Sequence, residues 1–352
     1  MNDREARERK RTRRRERARR KQERKDEREQ RRHSWWIGPG TVEDHRWGLI
    51  MFGGDGTVRE RIAQAIPGLH GLLRIQAAPS YWGMQFGDPN YVRLAVDAID
   101  GAIHEGSDVL VSFHDGAEDL HHPEHAGAIL AICEGLAARQ VEHAEHDRPA
   151  PSGKVLGLVL DAEWENSVYA DSREAYVQSV IAITRAIRSS AFPLPIFGPG
   201  GTHSDDHALR RVLEDLERAD ARPDHVSFHA YSDKGAGSWY DNRLEDLRRI
   251  FDAHGFDTAC CTECGVTGEK DWGDRDDGGT SDERHHRRTR WLINRLNRET
   301  WITLKLYFQV TQARGGNRDE HSSTADWGLL KPHATSDRPL DWIAKPSVQE
   351  FR

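Results

Sequence analysis

The chain has 352 residues, with 51 Lys+Arg against 58 Asp+Glu and a formal net charge of −7, a length that fits one large α/β barrel domain of the usual size of about 250 residues. It has no apolar run of the roughly 18 residues that a membrane-spanning helix needs. Its N-terminus is charged where a signal peptide carries an apolar stretch, so the expectation is no membrane segment and a cytoplasmic chain, or one exported by a non-standard route. The four cysteines are Cys133, Cys260, Cys261 and Cys264; three of them fall within five residues of a buried-strand pattern, which argues against a disulfide scaffold.

The charge is unevenly divided. Met1 to Arg32 carries 17 Lys+Arg against 8 Asp+Glu, leaving 34 basic and 50 acidic residues for the rest. With almost no apolar side chains this stretch can bury nothing, so residues 1–34 are read as a solvated helical or disordered arm and residues 35–352 as the barrel domain. A surplus of cations can also contact a polyanion through counterion release, a second reading for residues 1–32 that their interspersed acids weaken.

From Arg46 onward, short apolar runs alternate with segments of helical periodicity, the pattern of a parallel sheet with crossover helices. The predicted strands are Trp47–Phe52, Leu72–Ala77, Asp108–His114, Val155–Glu163, Leu194–Gly198, His225–Tyr231, Thr258–Glu263 and Thr303–Val310. Between them, Tyr176, Val180, Ile183 and Ile187 recur at helical steps after Asp171 and Ser172, which can cap a helix. Leu244, Leu247, Ile250 and Phe251 do the same before Gly255, a residue suited to ending one. Further helices are predicted over Glu283–Asn297 and near Leu340–Phe351. Eight βα units imply a (β/α)₈ TIM barrel, with a doubly wound open sheet as the alternative.

Barrel chemistry sits at the C-terminal ends of strands, and several strands here end in polar residues. Strand two holds Arg74 and is followed by Ser80, Tyr81 and Trp82. Strand three ends with His114 and Asp115, strand six with His229 and Tyr231, and strand seven with Thr262 and Glu263. Strand four runs LVLDAEWENS from Leu158 to Ser167, and alternation places Asp161, Glu163 and Glu165 on one face and Trp164 on the other. Carboxylates on opposite sides of a barrel mouth are what glycosidic hydrolysis requires, one protonating the departing oxygen while the other attacks or activates water. Glu263 and Glu165 are the catalytic candidates, with Glu163 competing for the strand-four role. His229 and Tyr231 share a parity and can both face the site, where a tyrosine hydroxyl can orient a carboxylate. Their other reading is a satisfied core histidine and a packed tyrosine. Trp82, Trp164, Tyr231 and Trp327 are aromatic residues near strand ends that can stack on sugars or simply pack.

Two other functions compete. A metal-dependent barrel hydrolase would draw on the 19 histidines, but His121, His122 and His125 read as loop residues and His285 and His286 as a solvated helix surface. A non-catalytic carbohydrate-binding barrel is the third reading. Cys260, Cys261 and Cys264 lack a second ligand pair at zinc-site spacing, and neither a GxGxxG nor a GxxxxGK[ST] motif occurs, so no cofactor or metal is expected. Gly38-Pro39-Gly40 and Gly53-Gly54-Asp55-Gly56 read as turns.

At these residues the chain resembles glycoside hydrolase clan A, whose strand four commonly reads WEVWNEPN. Asp161 and Glu165 match its two acids, while Trp164 stands where the family has Asn and Asn166 where it has Pro. DHVSFHAYS, Asp224 to Ser232, is similar to the strand-six segment of family 39, the β-xylosidase and α-iduronidase family, and FGPGG, Phe197 to Gly201, to its strand five. TECG, Thr262 to Gly265, resembles the nucleophile segment, and WGLL at Trp327–Leu330 with Lys345-Pro346 resembles the family's C-terminal stretch. The resemblance implies a retaining mechanism on an oligo- or polysaccharide, with Glu263 as nucleophile and Glu165 as acid/base. The substrate contacts implied are Arg74, Trp82, His114, Glu163, Trp164, Asn166, His229, Tyr231 and Trp327.

Overall fold

The computed structural model describes residues 45–53, 55–113, 124–146, 150–160, 172–190, 192–200, 206–231, 238–266, 279–308, 328–331, 339–341 and 343–351. Eight parallel strands make one sheet: β1 (Arg46–Phe52), β2 (Leu72–Gln76), β3 (Asp108–Ser112), β4 (Val155–Val159), β5 (Ile196–Phe197), β6 (Val226–Tyr231), β7 (Ala259–Gly265) and β8 (Ile302–Tyr307). Except between β5 and β6, each pairs with its sequence neighbours, and β1 pairs with β8, as a barrel demands. The seam between β5 and β6 is closed by a parallel bridge from Phe197 to His225, and Gly198 N donates to His225 O at 3.1 Å. The eight predicted strands are thus all present, and the fold is a (β/α)₈ barrel.

Each helix follows from its sequence. α1 (Gly56–Ala65) starts where the Asp55 carboxylate accepts from Thr57 N at 2.7 Å, and α2 (Pro67–His70) is a single turn. α3 (Pro89–His104) pairs an Asp88 cap with a proline in the first turn, where no backbone N–H is needed. α4 (His125–Glu145), α5 (Ser172–Ser189), α6 (Asp206–Arg218) and α7 (Ser238–Ala253) follow in turn. Gly255, two residues past α7, has φ +72°, the left-handed conformation for which glycine is suited. α8 (Ser281–Asn297) opens with a capping box: Thr280 Oγ1 accepts from Glu283 N, and the Glu283 carboxylate accepts from Thr280 N at 2.7 Å.

Two cores result. Between barrel and helices lies a continuous apolar layer that includes Leu49, Leu73, Val109, Leu158, Phe228 and Cys261. Inside the barrel, Ile50, Leu72, Leu110, Leu156, Val159, Phe197, Cys260, Leu304 and Leu306 form the second. Gly48 lies against this inner layer because a Cβ there would stand 2.6 Å from Leu72 Cγ and 2.9 Å from Leu306 Cδ2.

The C-terminal helix expected near Leu340–Phe351 is not formed. In its place are two 3₁₀ turns, Pro339–Asp341 and Pro346–Phe351, around β10 (Ile343–Ala344), which pairs antiparallel with β9 (Leu330–Lys331). Pro346 cannot donate to a helix ladder and disfavours helical backbone at Lys345, so the segment is divided there. The reading of His125 and His285 as solvated is also corrected. His125 opens α4 buried against Phe86, with ring centroids 4.9 Å apart, and His285 is fully buried between Ser347 Oγ and the Tyr307 hydroxyl. His285 falls on the stripe Thr289, Leu292 and Leu296, the inward face of α8, so its spacing outweighs its polarity.

His225 lies at the barrel seam, stacked on Phe197 at 4.6 Å between centroids. Burial lowers its pKa, against a weaker opposing pull from Asp224. The unfolded chain therefore takes up a proton first, so stability contributed here is present above the unfolded value, about pH 6.5, and is lost as pH falls through the lowered folded value. Denaturant midpoints compared at about pH 7.5 and about pH 5 should drop less in His225→Gln than in the wild type. An identical drop in both would contradict this assignment.

Candidate active site

The C-terminal end of the barrel gathers a charged cluster around Glu263, which is 6% exposed. Glu263 Oε1 lies 2.9 Å from Arg74 Nη1 and accepts a long contact of 3.4 Å from Gln76 Nε2. Glu263 Oε2 accepts from the Tyr231 hydroxyl at 2.5 Å and lies 3.5 Å from His229 Nδ1. An ionised carboxylate is acceptor-only, and this one is surrounded by groups able to donate. Arg74 is fully buried and also donates to Thr262 O at 2.9 Å, with Ser112 Oγ 3.4 Å from its Nε. One guanidinium thus ties the carboxylate to the backbone of its own strand.

Strand geometry explains the convergence. On β2, Leu72, Arg74 and Gln76 share the inward face, stepping from apolar floor to polar mouth. On β6, His229 and Tyr231 share it, as the sequence predicts. On β7, strict alternation would place Glu263 on the face of Cys261, which packs outward. A β-bulge prevents this. Phe228 opposes Cys261 but His229 opposes Glu263, and on the other side Cys261 opposes Lys305 while Cys264 opposes Tyr307. The extra residue shifts the register on both sides, so Cys260 and Glu263 both face inward.

Around this cluster runs an arc of half-buried aromatic rings. Tyr81 packs on Phe52 at 5.1 Å, Phe52 on Phe308 at 6.0 Å and Phe308 on Tyr231 at 5.8 Å. The Tyr81 hydroxyl also donates to Gln76 Oε1 at 3.3 Å, linking the arc to Glu263 through Gln76. Trp82, one of the four aromatic candidates, is half-buried, with its ring centroid 6.0 Å from that of Tyr91, and packs against the outer core. Gln76, Phe52 and Phe308 were not singled out from sequence; the inward parity of Gln76 with Arg74 was the available signal. Arg74, His229, Tyr231 and Glu263 are brought together. His114, Glu163, Trp164, Glu165, Asn166 and Trp327 lie outside the described residues, as do residues 1–34 and most of the strand-four acidic segment. The chain leading into that segment is anchored: Leu160 N donates to Phe197 O at 2.8 Å and the Tyr176 hydroxyl donates to Leu160 O.

Three of the four cysteines, Cys260, Cys261 and Cys264, lie on β7. All four are free and buried, desolvation pushes the Cys260 thiol up to about 12, and it raises Cys261 well above its usual range.

Leaving either partner of the Arg74–Glu263 pair alone in this setting is costly, about 3–5 kcal/mol for a buried ion pair broken on one side. Denaturant unfolding should show that loss for Arg74→Met, and a smaller loss than the sum of singles for Arg74→Met combined with Glu263→Gln. Additive losses would show that the two groups do not depend on each other.

Among the described residues no helix is long and apolar enough to cross a membrane. No protein-family model and no curated protein matches the chain. Solved structures do match its fold. A GH5_18 protein from Streptomyces cattleya, in complex with GlcNAc, superposes with a TM-score of 0.61 at 13% identity, over 88% of this chain and 79% of that one. The GH39 enzyme from Xanthomonas axonopodis pv. citri gives 0.58 at 13% identity, over 90% and 66%. A GH5-4 broad specificity endoglucanase from Clostridium acetobutylicum gives 0.52 at 14% identity, over 88% and 97%. The chain therefore has the TIM-barrel fold of these glycoside hydrolases.

Proposed function

We propose that the protein is a retaining O-glycoside hydrolase of clan A, nearest in its motifs to family 39, acting on an oligo- or polysaccharide. The observation that carries this reading is the buried Glu263 carboxylate at the end of β7, held by Arg74, Tyr231, His229 and Gln76. A nucleophilic carboxylate must be ionised, fixed in direction and shielded from bulk water, and those contacts supply all three. Glu263 attacks the anomeric carbon as Glu165 protonates the departing oxygen, giving a covalent glycosyl-enzyme. Glu165 then takes a proton from the water that displaces the sugar. Tyr231 shares its hydrogen bond with Glu263 more weakly as the carboxylate charge is consumed. The aromatic arc of Tyr81, Phe52 and Phe308 offers apolar faces for sugar rings beside the reacting carboxylate. The saccharide ligand of the Streptomyces cattleya structure accords with such a substrate. Contact of residues 1–32 with a polyanion is a separate, secondary proposal.

Wild type, Glu263→Gln, Glu165→Gln, Glu163→Gln and Tyr231→Phe should be assayed on a panel of aryl glycosides. Glu263→Gln and one strand-four variant should lose several orders of magnitude in kcat, with azide restoring turnover of the acid/base variant, and Tyr231→Phe should lose about 100-fold. The departures Trp164 and Asn166 favour a binding barrel as the second reading. Calorimetric sugar binding without turnover by the wild type would establish that reading in place of hydrolysis.

A further inference from the structure

At the opposite end of the barrel from Glu263, three metal-ligating side chains meet between two neighbouring helices. α3 ends on His104, with Asp100 one turn earlier on the same face, and His143 stands in the last turn of α4. Asp100 Oδ2 is 3.6 Å from His143 Nε2, Asp100 Oδ1 is 3.2 Å from His104 Nδ1, and the two imidazole centroids are 4.7 Å apart. One ligating atom from each residue lies within 4.8 Å of the other two.

Several independent features suit this cluster to a cation. Asp100 Oδ1 is buried and, beyond its contact with His104, meets no hydrogen-bond partner among the described residues. His104 Nδ1 faces the Asp100 backbone carbonyl at 2.9 Å; a carbonyl only accepts, so Nδ1 carries the proton and the shielded Nε2 carries the lone pair. The neighbouring Arg139 is turned to Asp97 at 2.6 Å instead of filling the site. Both helices also present their C-terminal ends, where the macrodipole favours positive charge.

We propose that Asp100, His104 and His143 bind a divalent transition-metal cation of the zinc class, with water completing the shell. Two imidazoles and one carboxylate select such an ion over calcium or magnesium, which prefer all-oxygen shells. Bonds of about 2.0–2.1 Å place tetrahedral ligands roughly 3.3 Å apart, so the Asp100–His143 spacing is already close and side-chain rotation closes the rest. The ion would clamp α3 to α4 at the stability end of the barrel, away from the chemistry.

The test uses the full chain, stripped with chelator and titrated with Zn²⁺ by calorimetry and with Co²⁺ by visible absorption. One equivalent should bind, raise Tm and give the absorption bands of low-coordinate cobalt. His143→Ala and the gentler His104→Gln should each weaken binding by about 100-fold or more and abolish the Tm rise, with the circular dichroism spectrum kept. His121→Ala/His122→Ala should bind as the wild type does. Binding that survives both cluster variants, or that is lost with His121 and His122, would overturn the proposal, as would no binding by the wild type.

Discussion

The ion pair between Arg74 and Glu263 constrains the upper half of the barrel. Two opposite charges 2.9 Å apart, at 1% and 8% side-chain exposure, have been removed from water, and that desolvation is offset only if both keep their other polar partners. The interior therefore changes character within one strand. Leu72 belongs to a dry layer with Leu304 and Leu306, whereas Arg74, one inward step higher, is met by Ser112 and the Thr262 carbonyl. The apolar floor excludes water from below and the aromatic arc narrows access from the side, so electrostatic contacts at Glu263 act in a medium where they are strong.

The bulge on β7 is what allows this pair to exist. In a regular strand Glu263 would point into the helix-facing layer on the side of Cys261, away from Arg74, Tyr231 and His229 and among mostly apolar side chains, where a carboxylate is costly to bury. With one extra residue, Thr262, the strand keeps Cys261 and Cys264 packed outward and turns Glu263 inward, while the Thr262 carbonyl becomes a second anchor for Arg74. Thus the same local irregularity aims the carboxylate and binds its counter-ion.

Much of the fold was legible in the sequence because its signals are local. The eight apolar runs, the helical spacing of Leu244, Leu247, Ile250 and Phe251, and Gly255 each act within a few residues. The convergence of Arg74, His229, Tyr231 and Glu263 was legible because all four lie toward the C-terminal ends of their strands. What escaped depends on distant partners. Gln76 matters only because Glu263 and Tyr81 arrive on either side of it, and Phe52 and Phe308 become a rim only when β1 and β8 meet. His285 misled because a polar residue on an apolar stripe can be satisfied by Ser347, 62 positions away. The 3₁₀ turns at the C-terminus followed from Pro346 overriding an otherwise helical pattern.

Under the two proposals the ends of the barrel have different tasks, catalysis at the strand C-termini and helix-to-helix stabilisation at the other end. The claim on which the functional account turns is that Glu263 forms a covalent bond to the sugar. Incubation with an activated 2-deoxy-2-fluoro glycoside, followed by proteolysis and mass spectrometry, tests it directly. The account predicts a single glycosyl adduct on Glu263, absent from Glu263→Gln. An adduct on Glu163 or Glu165 instead, or turnover of substrate with inverted configuration and no adduct, would contradict it.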